Sequence, residues 1–126
     1  MSDEEIDYLT VEDLLEIADG VLDEVEVRDV GLLAAAAGRP QVTVYGNDAY
    51  PTFSEKAAAL LHSLVRNHAL ADGNKRLAWA ATRVFCILNG QDMIYTVDEA
   101  EQLMVAAAAA RLDVAQIATW INDHQR

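Results

Sequence analysis

The sequence contains a single cysteine, Cys86, so no disulfide can form within the chain. It has no apolar run of the roughly 20 residues that a membrane helix needs. Arg83 and Arg111 interrupt the best stretches. The opening, MSDEEIDYLT, lacks the basic-then-apolar order of a secretory signal. Together these absences predict a soluble, cytoplasmic protein with no membrane partner. Positive charge is also scarce, with 9 Lys and Arg against 21 Asp and Glu and a formal net charge of −12. Such a chain repels phosphate backbones, which disfavours direct nucleic-acid binding. There is no G-x-x-x-x-G-K-[ST] loop, no H-R-D kinase sequence, no internal repeat and no linker.

What is there argues for one folded unit. The chain has 126 residues, 52% of them apolar, which excludes general disorder and predicts a single domain over 1–126. Thr10 opens TVEDLLEIADG as a capping box with Asp13, and Gly20 is the expected stop. A second short helix is expected in VRDVGLLAAAAGRP, ended by Gly38 and Pro40. In QVTVYGNDAYPTF, Val42, Val44 and Tyr45 favour extended structure and Gly46-Asn47-Asp48 a turn, which reads as a β-hairpin. Ser54 is the expected cap of a helix with Ala57, Leu60, Leu61, Leu64 and Val65 on its buried face. Residues 74–89 are apolar nearly all round, which predicts the most buried helix, closed by Asn89-Gly90. A short extended DMIYT leads to a capping box at Thr96 and Glu99, and the helix after it carries alanine at 106–110, suited to close packing. Asp113 starts a last helix with Val114, Ile117, Ala118 and Ile121 in one stripe. The expected fold is all-α: a compact bundle around a central buried helix, with a small β-hairpin flap.

Between two of these helices lies RNHALADGNKRLAW, residues 66–79, where polar chemistry is concentrated. DGNKR sits at a helix N-terminus, where free N–H groups and the helix dipole favour an anion. Gly73 would let a ligand approach the backbone, and Asn74 could orient the loop or donate to an oxyanion. Lys75 and Arg76 add formal charge. Asp72 should repel phosphate, a conflict that Mg²⁺ resolves by taking one or two carboxylates beside phosphate oxygens. His68 could accept a proton from an attacking hydroxyl. Taken singly, each residue has an ordinary reading as cap, turn or solvated surface. Their joint spacing favours phosphate transfer. His62 and His68, six apart, do not share a metal face. Cys86, Trp79 and Trp120 read as packing.

HALADGNKR resembles the signature of the Fic/Doc family, HxFx(D/E)GN(G/K)R. RDVGLLAAAAGRP, YGNDAYP and EKAAALLHSLVRNH also look like its Doc branch, so the resemblance covers about residues 28–90. It implies a helical core that presents the loop to ATP. Where this position is glycine, family members transfer AMP to a protein hydroxyl. The lysine found here as Lys75 instead implies transfer of the γ-phosphoryl group, with a threonine of translation elongation factor Tu as target. By position, His68 would be the base, Asp72 the Mg²⁺-linked acid and Lys75 a catalytic cation. Gly73, Asn74, Lys75 and Arg76 would form the phosphate cradle, with Arg66 a further anion contact. The 41–52 hairpin resembles the flap that docks the target by strand addition. The resemblance also implies a toxin with a cognate Phd-like antitoxin, bound through the antitoxin's C-terminal segment. Leu70 replaces the usual phenylalanine, Ala69 a common proline, and Trp79 the second arginine used in AMP transfer. The alternatives are an AMP transferase and a non-catalytic nucleotide-binding module.

Overall fold

The computed structural model describes residues 5–126, leaving the first four residues of the acidic opening outside the described part. Six α-helices account for most of it: α1 (Val11–Val21), α2 (Val30–Gly38), α3 (Phe53–Arg66), α4 (Asn74–Leu88), α5 (Val97–Ala108) and α6 (Val114–Asp123). Four of the six open with a capping box, three of them where expected. Thr10, Thr52, Thr96 and Asp113 each accept from the backbone N–H three residues on, and that residue's side chain accepts from the cap N–H. The third helix is therefore capped by Thr52, with Glu55 as its partner. Ser54, the expected cap, lies inside the helix and is buried. Gly20 does not stop α1, which continues to Val21.

The central helix is α3, not α4 as the apolar run at 74–89 suggested. Lys56, Ala57, Ala58, Ala59, Leu60, Leu61, Leu64 and Val65 are all buried in α3, which packs against α2, α4, α5 and α6. In contrast, α4 leaves Ile87 52% and Leu88 50% exposed, with Val84 beside them. The reason is position. Its Leu77, Ala78, Ala81, Phe85 and Cys86 face the core, while its other side runs along the surface. Phe85 stacks on Phe53 at 4.9 Å and on Tyr8 at 6.1 Å, joining α4 to α3 and the N-terminal segment. Burial pushes the Cys86 thiol up to about 12, closing it to thiolate chemistry.

The alanine run does not continue as a helix to its end. After Ala108 the chain turns, with Ala110 in the left-handed region at φ 62°, and only Ala107 of the run is fully buried. The DMIYT segment bridges instead to the C-terminal tail through Met93 and Gln125.

The hairpin is small and exposed. Thr43–Val44 (β1) pairs antiparallel with Asn47–Asp48 (β2), and the turn is Tyr45-Gly46, both at positive φ. Asn47 and Asp48 thus belong to the strand, because a two-residue primed turn needs positive φ only at its centre. Its base is fixed to the first turn of α3 by Lys56, only 4% exposed, whose Nζ donates to the Tyr50 carbonyl at 2.7 Å and to Asp48 Oδ2 at 3.2 Å. This anchor lies about 15 Å along α3 from Arg66, at 1.5 Å per residue.

Upstream, a 3-10 turn (Arg39–Gln41) docks on α3 through Arg39, which donates to Tyr50 Oη at 2.9 Å, His62 Nδ1 at 2.9 Å and Ser63 Oγ at 3.0 Å. Because guanidinium only donates, Nδ1 of His62 must be unprotonated and the ring neutral. Burial first, then the charges of Arg39 and Arg66, hold the His62 pKa below the ordinary 6.5. The unfolded chain therefore takes up this proton more readily than the folded one. Stability present above pH 6.5 is lost as pH falls through the folded-state value. His62→Gln keeps an acceptor for Arg39 without a titrating ring. Its Tm should drop less than that of the wild type between about pH 7.5 and about pH 5.5, and equal drops by calorimetry would refute the assignment.

Candidate active site

The loop between α3 and α4 is built by pinning some residues inward so that others point out. Ala69 and Leu70 are fully buried, whereas His68, Ala71 and Asp72 are exposed. Three sets of bonds hold this alternation. Asn67 Nδ2 donates to the Leu32 carbonyl at 3.0 Å. The 26–29 segment lies alongside, with Arg28 N–H and Asp29 N–H donating to the Ala69 carbonyl and Ala71 N–H to the Glu26 carbonyl. Asn74 grips Leu70 from the helix side, accepting from its N–H at 3.0 Å and donating to its carbonyl at 2.9 Å. Asn74 therefore orients the loop, and its side chain is committed to that task.

His68 sits at φ 52°, in the left-handed region, which costs about 1–2 kcal/mol for a residue with a Cβ. Histidine tolerates that region better than most residues. The strained backbone carries an exposed imidazole that takes no hydrogen bond from any described side chain. Gly73, the N-cap of α4, is also left-handed at φ 85°. A Cβ there would lie 2.6 Å from Leu22 Cδ2, so the missing side chain accommodates Leu22 rather than opening the backbone to a ligand. Gly73 N–H is already satisfied by Asp72 Oδ1 at 2.9 Å. The N–H groups of Asn74, Lys75 and Arg76 remain without intrahelical acceptors at the positive end of the helix dipole.

These residues line one cleft of about 870 Å³. His68, Asp72, Gly73, Asn74, Lys75 and Arg76 form its polar side. The opposite side is apolar: Trp79 and Tyr95, packed edge-on at 5.0 Å, followed by Val97, Met104, Val105 and Ala108. Glu101 is the acidic group of that wall. The volume lies in the range of small-molecule sites and far exceeds one phosphate. Trp79 thus packs, as expected, and also forms part of the cleft.

Two sequence-derived assignments fall outside this constellation. Arg66 does not line the cleft, and its Nη1 lies 3.4 Å from the Ala108 carbonyl at the end of α5. The hairpin contributes no lining residue either, being anchored at the other end of α3. What sequence reasoning missed is the α5 wall and the 26–29 clamp. The wall has a signal: 97, 100, 101, 104, 105 and 108 share one helical face. The clamp has none, because backbone pairing leaves no side-chain pattern.

The Fic/DOC family model matches residues 8–86, well over half of the chain. A curated relative, Toxin Doc of Mycolicibacterium smegmatis, is 54% identical over 89% of this chain and 88% of its own length. The chain belongs to the Fic/Doc family. As expected of a Fic/Doc fold, the motif loop joins two packed helices, α3 and α4.

The Asn74 grip makes a direct prediction. Asn74→Ala leaves the Leu70 N–H and carbonyl unpaired and should cost about 1–3 kcal/mol in urea unfolding. Asn74→Asp retains the acceptor for Leu70 N–H and should fall between the two. An alanine variant as stable as the wild type would show that the grip does not hold the loop.

Proposed function

We propose that this chain is the toxin of a toxin–antitoxin pair and that it stops translation by transferring the γ-phosphoryl group of ATP to a threonine of elongation factor Tu. One observation carries the reading: an exposed His68 and the cationic N-terminus of α4 line the same cleft, in a chain 54% identical to a protein named Toxin Doc. The mature partner is a cognate, Phd-like antitoxin that binds through its C-terminal segment.

In this mechanism His68 receives the proton of the target hydroxyl as its oxygen bonds to the γ-phosphorus. The bond from that phosphorus to the bridging oxygen breaks, and ADP leaves. Lys75, Arg76 and the free N–H groups of the first turn of α4 counter charge on the phosphoryl oxygens. The Asn74 grip acts before chemistry, holding the loop so that no reorganisation is needed during transfer.

Asp72 suits Mg²⁺ in kind. It is an exposed carboxylate on the cleft, with Oδ1 accepting only from its neighbour's N–H. Among the described residues no cluster of three His, Cys, Asp or Glu could form an all-protein cage. A single carboxylate completed by phosphate oxygens and water is the ordinary Mg²⁺ setting beside a nucleotide. Bound there, the ion would neutralise negative charge between adjoining phosphates.

Lys75 supports phosphoryl over AMP transfer, since its side chain occupies the position where AMP-transferring relatives have glycine. The space beside Gly73 supports neither, because Leu22 fills it. Incubation with ATP, Mg²⁺ and elongation factor Tu should add a phosphoryl-sized mass to the factor. His68→Ala should slow the reaction by about 10²–10⁴-fold. An AMP-sized adduct would overturn the reading in favour of AMP transfer, and no adduct at all would favour a non-catalytic module.

A further inference from the structure

The C-terminal end of α6 contains a histidine with a specific protonation requirement. His124 Nδ1 lies 2.7 Å from the Trp120 carbonyl, and Nε2 lies 3.3 Å from Glu99 Oε2. A carbonyl and a carboxylate are both acceptors, so each contact needs an N–H on the ring. Neutral imidazole carries one N–H and can satisfy one of them, whereas imidazolium satisfies both. The ring also stacks on Trp120 at 3.8 Å and 14°, a geometry that favours a cation over the indole face.

Both partners lead to the cleft. Glu99 is the capping residue in the first turn of α5, whose Val97, Ala100 and Glu101 line the apolar wall. Trp120 packs edge-on against Trp79 at 6.1 Å, and Trp79 against Tyr95 at 5.0 Å, both of them wall residues. The tail is tied to the same region, with Ile94 N–H donating to the His124 carbonyl at 2.6 Å and Arg126 N–H to the Asp92 carbonyl at 3.2 Å.

The geometry points to His124 as a positioning residue: its imidazolium clasps α5 to α6 and so sets the apolar wall of the nucleotide cleft in a proton-dependent way. Glu99 is the charged group that faces the ring from α5. From the segment before α5, Asp92 is engaged by Arg83 at 3.5 Å, and Tyr95 packs on Trp79. Asp123 and Arg126 flank it in sequence. Loss of one ring proton sets a bare nitrogen against an acceptor, and the clasp loosens.

The inference rests on the proposed nucleotide site for its consequence but not for its own test. In the His68→Ala background, which removes the cleft's own histidine, tryptophan emission and Mg·ATP affinity are followed between about pH 6 and about pH 8. Affinity should fall about threefold as pH rises, the scale of one exposed ion pair. The emission step should accompany it. Both should vanish in His124→Gln. In Glu99→Gln, which retains an amide able to cap α5, the affinity change should vanish and the ring, still stacked on Trp120, should keep an emission step. Ring ¹⁵N spectra at the lower pH should show both nitrogens protonated. A single protonated nitrogen there, or an emission step that persists in His124→Gln, overturns the clasp. Failure of ATP to bind at any pH overturns the nucleotide reading instead, and the emission step then decides the clasp alone.

Discussion

The chemistry of this fold depends on how one leucine is held. Leu70 is fully buried, and both of its backbone polar groups are bound to the Asn74 side chain. With that residue fixed, its neighbours have little freedom. Ala69 is drawn in, where its carbonyl meets Arg28 and Asp29, and Ala71 and Asp72 are turned out. The strained backbone of His68 persists because the surrounding bonds over-determine it. A motif usually described by its polar residues is thus organised by an apolar one. Leucine can stand where phenylalanine is usual because the role is to fill the core.

The three histidines show how neighbours assign one side chain to different tasks. His62 faces a guanidinium donor and is held neutral. His124 faces two acceptors, one at each ring nitrogen. His68 faces the open cleft. Local charge follows the same logic. The chain as a whole is strongly acidic, yet Lys75 and Arg76 stand at a helix end whose free N–H groups border the cleft. A local field of this kind favours a compact anion over an extended polyanion.

Much of this was legible in the sequence. Capping boxes at Thr10 and Thr96 and the Asp113 start were readable because they depend on residues three apart. The grouping of His68, Asp72, Gly73, Asn74, Lys75 and Arg76 was readable because the motif is contiguous. What escaped depends on long-range packing. Apolar count alone made α4 look central, whereas α3 is enclosed because four helices and the 3-10 turn meet around it. Thr52 rather than Ser54 caps α3 because Glu55, not Ser54's own third neighbour, completes the box. The packing constraint on Gly73 escaped for the same reason, since Leu22, about fifty residues away in sequence, fills the space a Cβ would take. Arg66, read as a further anion contact, places its guanidinium at the Ala108 carbonyl at the end of α5, a placement only packing could show.

The cleft draws its walls from Leu22 at one extreme and Ala108 at the other. No shorter stretch of polypeptide contains the site, even though its signature occupies nine consecutive residues. On a ribosome, a growing chain that has already exposed those nine residues still lacks the apolar half of the pocket until α5 emerges and docks. A nascent or prematurely terminated product therefore carries the motif without the cavity, so any harm the folded molecule can do is withheld until α5 has been made and docked.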